Sequence, residues 1–208
     1  MNFLSDDSVA SPTSRRALLQ ALTVAPVAAL AVPASPWSDA LAKLYEAHDD
    51  EPAILIRTRE RRRLSRVRYH RAEDFMPDRW PRSLLGWHDL LYHAGITAQL
   101  GLSAHLLDVG FSDTWNARHI GLRVAKSLAY ANATGFSHDC PDMARLALVL
   151  TPYWKWNRPR LFGEPEPDDG GFSPERVLPL LRALLDRVHD VTGHPRPRGW
   201  RRRGKEAL

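Results

Sequence analysis

Ile54 to Arg71 reads ILIRTRERRRLSRVRYHR, and the period assigned to this stretch decides the fold. On a helix, Arg59, Arg62, Arg63 and Arg66 recur at i, i+3, i+4, i+7 and share one face, with Ile56, Leu64 and Val67 turned inward. As strands, ILIRTR and RVRYHR alternate with period two and would pair as a short β-hairpin around 54–70. The ERRRLS between them has no Gly, Asn or Asp for a tight turn. We therefore expect a helix here, with the hairpin as the alternative.

The surrounding pattern is helical. Pro36 to Ala47 carries Trp37, Leu41, Leu44 and Tyr45 on one side. After the Pro-broken MPDRWPR, Ser83 can cap a helix from Leu84 to Ala94, and Gly95 separates it from a second helix over Ile96–Val109. Ser112 then caps an amphipathic helix expected over Asp113–Ala133, with a stripe of Trp115, Ile120, Val124, Leu128 and Ala131. Asp139 is the expected N-cap of CPDMARLALVL, which Pro152 terminates. NRPRLFGEPEPDDGG reads as an exposed loop, and Ser173-Pro174 opens a last helix to Thr192, striped by Val177, Leu181, Leu184, Val188 and Val191. Six or so helices without clear strands predict an all-α, single-domain bundle over 35–195, followed by a basic, mobile tail over 196–208.

The N-terminus follows a different logic. Arg15 and Arg16 precede a charge-free run, Ala17–Val32, which is shorter than the roughly 20 apolar residues of a membrane span. Its apolar residues surround the helix axis, unlike the stripe of a surface helix. Small residues follow at Val32-Pro33-Ala34, as at a signal cleavage site. Ser14, Arg15, Arg16, Leu18 and Leu19 resemble the twin-arginine signal of bacterial exported proteins, with Leu18 in place of the usual Phe. The resemblance covers residues 1–34 alone. It implies export of a folded protein by the twin-arginine translocation machinery, cleavage after Ala34 and a periplasmic mature chain without a transmembrane anchor. The alternative is a cytoplasmic protein with a helical N-terminal arm.

Composition limits the chemistry. Cys140 is the only cysteine, so an intramolecular disulfide and any multi-thiolate metal site are excluded. Residues 57–71 carry +7 and residues 196–205 carry +6, against +5 for the whole chain, which leaves −8 on the remainder. Arg59, Arg62, Arg63 and Arg66 thus form a candidate anion-binding face for lipid headgroups, lipopolysaccharide phosphates or an acidic protein, and for nucleic acid only if the chain is not exported. The plainer expectation is internal: the acidic remainder, EPEPDD included, neutralises the arginines.

Three further groups invite chemistry. Tyr153, Trp154 and Trp156, interleaved with Lys155, Arg158 and Arg160, resemble a ligand-stacking surface, although aromatics at a helix end more commonly cap a core. His88 and His93 are five residues apart, about 140° around a helix, and cannot chelate together. Asp89 and His93 do share a face, but spacing supplies no third ligand, so no metal site is assigned. His138, Asp139, Cys140 and Asp142 sit at a helix start that would activate a thiol, against the opposing effect of the acids. No phosphate loop, His-Glu-x-x-His, Gly-x-Ser-x-Gly or dinucleotide fingerprint occurs, and no cofactor is indicated. These observations lead to an exported envelope protein that binds or assembles. The alternatives are a cytoplasmic or prophage-type Arg-rich nucleic-acid binder, and an exported enzyme using His88, Asp89 or Cys140.

Overall fold

Thr58 settles the ambiguous stretch. Its backbone is extended and its hydroxyl accepts a hydrogen bond from the Arg61 amide at 3.1 Å, capping a helix that runs over Arg59–Phe75. The computed structural model describes residues 36–77 and 86–197, and no β-strand occurs among them. The hairpin is therefore corrected: one of its two strands, RVRYHR, lies within the helix. Period-two alternation survives only as burial upstream, where Ala53 and Leu55 pack on the core while Ile54 and Ile56 face out.

Eight α-helices make up the described bundle: α1 Ser38–His48, α2 Arg59–Phe75, α3 Trp87–Val109, α4 Asp113–Trp115, α5 Val124–Ala133, α6 Pro141–Val149, α7 Arg158–Phe162 and α8 Pro174–Thr192. A π-turn over Asn116–Ile120 extends α4, and a 3-10 turn over Tyr153–Asn157 precedes α7. The centre is α3, which packs against α2, α8, the 3-10 turn and α5. Fourteen of its 23 residues are buried, on all sides of the axis, as expected of a helix surrounded by others.

Two expected boundaries moved. Gly95 does not end a helix; α3 passes through it. A Cβ at Gly95 would stand 2.1 Å from Cβ of Tyr153, so glycine is there to let the 3-10 turn approach α3. Conversely, the single helix expected over Asp113–Ala133 is broken. Gly121, at φ 58° and ψ −126°, adopts a conformation that side chains disfavour, and it redirects the chain between the π-turn and α5. The stripe survives the break, with Ile120, Val124, Leu128 and Ala131 buried and Trp115 packed at its edge.

The last helix keeps its expected bounds. Val177, Leu181, Leu184 and Val188 are fully buried in the main core, each contributing roughly 1.5–3 kcal/mol by transfer from water. At α6 the N-cap is Cys140, without a side-chain cap bond, and Asp139 lies one residue outside it. Ser83 and residues 198–208 fall outside the described residues.

Candidate anion-binding face

The buried line of α2 is not the expected one. Ser65, Tyr69, Ala72 and Glu73 face the bundle, while Ile56 and Val67 are exposed and Leu64 is half-buried. Small and polar groups therefore make the inner seam, and Arg59, Arg62, Arg63 and Arg66 all lie on the outer side. Their environments differ. Arg62 pairs with Asp108 at 2.8 Å and donates to the Thr192 carbonyl at 3.1 Å. Nearby, Arg61 donates to the carbonyls of Ile56 and Gly110, and Arg68 pairs with Asp113 at 2.9 Å. By contrast, the side chains of Arg57, Arg59, Arg63, Arg66 and Arg71 are exposed and have no hydrogen bond or ion pair with any described residue.

Internal neutralisation thus accounts for Arg62 and Arg68 and stops there. The acids of EPEPDD are engaged elsewhere. Glu164 pairs with Arg158, and Glu166 lies 3.5 Å from His88. Asp168 accepts the Gly170 amide, while Asp169 accepts the Trp87 indole at 2.8 Å and the Gly171 amide. Those last bonds hold the Asp169 carboxyl below its ordinary pKa, the indole contributing most.

The aromatic group separates into two roles. Trp156 is fully buried and Tyr153 packs against Gly95 and Tyr92, so both close the core around α3. Trp154 is 41% exposed, with the Arg158 guanidinium 4.8 Å from its ring. That guanidinium also lies over Phe162 and pairs with Glu164, so the cation is already satisfied within the chain.

His88 stacks on Trp156, Asp89 pairs with Arg160 at 3.2 Å, and His93 packs between Phe75 and Tyr92. Burial pushes His93 and His138 below the usual histidine pKa. Cys140 is half-buried beside the core. No three His, Cys, Asp or Glu side chains gather at metal-binding range among the described residues. Ser14, Arg15, Arg16, Leu18 and Leu19 lie outside those residues.

Sequence reading missed two buried polar clusters. In the first, Asp50 accepts from Lys126 Nζ at 2.7 Å and from the Tyr130 hydroxyl at 2.6 Å, with His119 Nδ1 at 3.4 Å. Burial raises the Asp50 pKa, but the bonds from Lys126 and Tyr130 outweigh it and the net displacement is downward. Tyr130 is pushed up, chiefly by burial and then by Asp50. In the second cluster, the Ser65 hydroxyl donates to the Ala104 carbonyl at 2.6 Å and lies 2.7 Å from Nε2 of His194. Partners 76, 80 and 129 residues apart leave no local pattern to find.

Compared with known proteins, the chain matches no family model, no curated protein and no solved structure. Among the described residues, no helix is long and apolar enough to cross a membrane.

Proposed function

We propose that this chain is an exported bacterial envelope protein that binds or assembles and does not catalyse, and that the outer face of α2 is its contact surface for phosphate-bearing anions. One observation carries the second part. Arg59, Arg63 and Arg66 stand exposed without an ion pair to any described residue, the acids of EPEPDD hold other groups, and Glu60 is the one acid within the arginine run. Arginines fixed on a rigid helix bind phosphate through charge-assisted, often bidentate bonds. The Asp50 and Ser65–His194 clusters support the non-catalytic part, since their polar groups are engaged with one another inside the bundle.

Binding to inorganic polyphosphate tests the face. Affinity is expected at low salt, falling steeply as salt rises. The variant Arg59→Gln/Arg63→Gln/Arg66→Gln should lose most of it. Equal binding by variant and wild type would overturn the assignment. Export rests on the Ser14–Leu19 resemblance and is tested by fractionation. The wild type should reach the periplasm, and Arg15→Lys/Arg16→Lys should stay in the cytoplasm. Full-length protein in the cytoplasm in both cases removes the export reading.

A further inference from the structure

We propose that this arginine face docks on the surface of an anionic phospholipid bilayer, with Ile54 and Ile56 entering the headgroup–acyl boundary. The proposal rests on the anion-binding reading of α2 and adds its partner. Its new observation is the company the arginines keep. Eight large hydrophobic side chains are exposed among the described residues, and three of them, Ile54 at 79%, Ile56 at 50% and Val67 at 47%, belong to the same 54–67 segment as these arginines. Val67 follows Arg63 by one helical turn, so the two are neighbours on the surface.

Ile54 and Ile56 stand on the segment that enters α2 through the Thr58 cap. That segment is held firmly. The Ile56 amide donates to the Gly110 carbonyl at 3.0 Å, and Arg61 bonds both the Ile56 and the Gly110 carbonyls. Leu55 packs inward on the core. The two isoleucines are thereby presented outward beside Arg57 and Arg59 by a braced backbone.

This combination selects the partner. A protein that contacts the bases of a nucleic acid adds aromatic rings or amides, which stack on or bond them, to its phosphate-binding arginines. Here the exposed apolar groups among the arginines are aliphatic, Thr58 and Glu60 being the exposed polar ones, and Tyr69, the helix's tyrosine, is fully buried. Aliphatic side chains interspersed with cations match a bilayer interface, where apolar groups enter the acyl boundary and arginines meet headgroup phosphates.

Vesicle co-sedimentation of the full chain decides the matter, with inorganic polyphosphate as a soluble control. Vesicles of phosphatidylcholine containing phosphatidylglycerol should bind the protein, and pure phosphatidylcholine vesicles should not. Ile54→Asn/Ile56→Asn should weaken vesicle binding about tenfold or more and leave polyphosphate binding unchanged, which also shows that the variant is folded. Arg59→Gln/Arg63→Gln/Arg66→Gln should lose both, roughly fivefold per arginine for vesicles. The apolar run Ala17–Val32 is common to all three proteins, so differences between them report on the face. If the isoleucine variant binds vesicles like the wild type, the lipid proposal fails. Polyphosphate binding without vesicle binding also sinks it and leaves the anion-binding reading intact, whereas no binding to either overturns both.

Discussion

Ser65 Oγ and His194 Nε2 lie 2.7 Å apart across 129 residues of chain, with both side chains buried. Asp108 is near the same nitrogen, at 3.9 Å, so a serine, a histidine and an aspartate meet in one place. Their roles are not those of a nucleophilic triad. The serine proton goes to the Ala104 carbonyl, so its oxygen receives the Nε2 proton of a neutral His194. Asp108 belongs to Arg62 and does not orient the far ring nitrogen. The contact fastens the chain after α8 onto α2, helped by the His189 ring on the His194 carbonyl and the His70 ring on the Pro195 carbonyl.

Ser65→Ala should therefore weaken that fastening. Stability in urea is expected to fall by about 1–3 kcal/mol, since a buried imidazole donor loses its acceptor. Limited proteolysis after Thr192 should accelerate with it. Unchanged stability and cleavage would mean that the bond is redundant.

His105 and His194 are both pushed down to about 4, mainly by burial. Between that value and the ordinary histidine pKa, the unfolded chain binds protons that the folded chain refuses. Stability should therefore be full above about pH 6.5 and decline as the pH falls towards 4, by up to about 3 kcal/mol per histidine. Asp50, with its lowered pKa, adds to the loss at still lower pH. Urea midpoints between pH 7 and 4 check the slope, and His105→Gln should flatten it.

Asp50→Asn leaves the Lys126 ammonium, only 4% exposed, without its counter-charge. The expected cost is about 3–5 kcal/mol. Asp50→Asn/Lys126→Met should recover most of that, because no buried charge remains. A double variant as unstable as the single one would show that the Asp50–Tyr130 bond, and not the ion pair, dominates.

Gly95→Ala should be costly, at about 1–3 kcal/mol or more, because its Cβ meets Cβ of Tyr153 at 2.1 Å. Gly163, at the end of α7 with nothing within 4 Å, is the control. Its replacement by Ala should cost about 1 kcal/mol through backbone strain alone. Thermal melts of the pair separate packing from backbone effects.

How far the sequence could be read depended on whether a residue's partners were local. The stripe of Val177, Leu181, Leu184 and Val188 identified α8 and its buried face, because hydrophobic periodicity is a property of neighbouring residues. The i, i+3, i+4, i+7 spacing placed four arginines on the outer side of α2 for the same reason. The inner seam of that helix escaped, since Ser65, Tyr69, Ala72 and Glu73 do not form an apolar pattern. Glu73 is tolerated there because Arg182, on α8, donates to both of its oxygens at 3.1 and 2.8 Å.

Gly95 and Gly121 show the limit of punctuation signals. One glycine sits inside a continuous helix because another element must approach it, and the other breaks a helix although the apolar stripe continues past it. Local composition cannot distinguish a glycine needed for its missing side chain from one needed for its backbone angles.

The sequence by itself determined the all-α class and the concentration of positive charge over 57–71, but it left helix and hairpin both open over 54–70 until the Thr58 cap decided for the helix. Tertiary structure decided which arginines were neutralised. Asp108 and Asp113 reach Arg62 and Arg68 from distant parts of the chain, and the acids of EPEPDD fold against other partners. Charge is additive along a sequence, but ion pairing depends on distance in space, so only the fold could leave Arg59, Arg63 and Arg66 facing outward, with Ile54, Ile56 and Val67 exposed in the same segment.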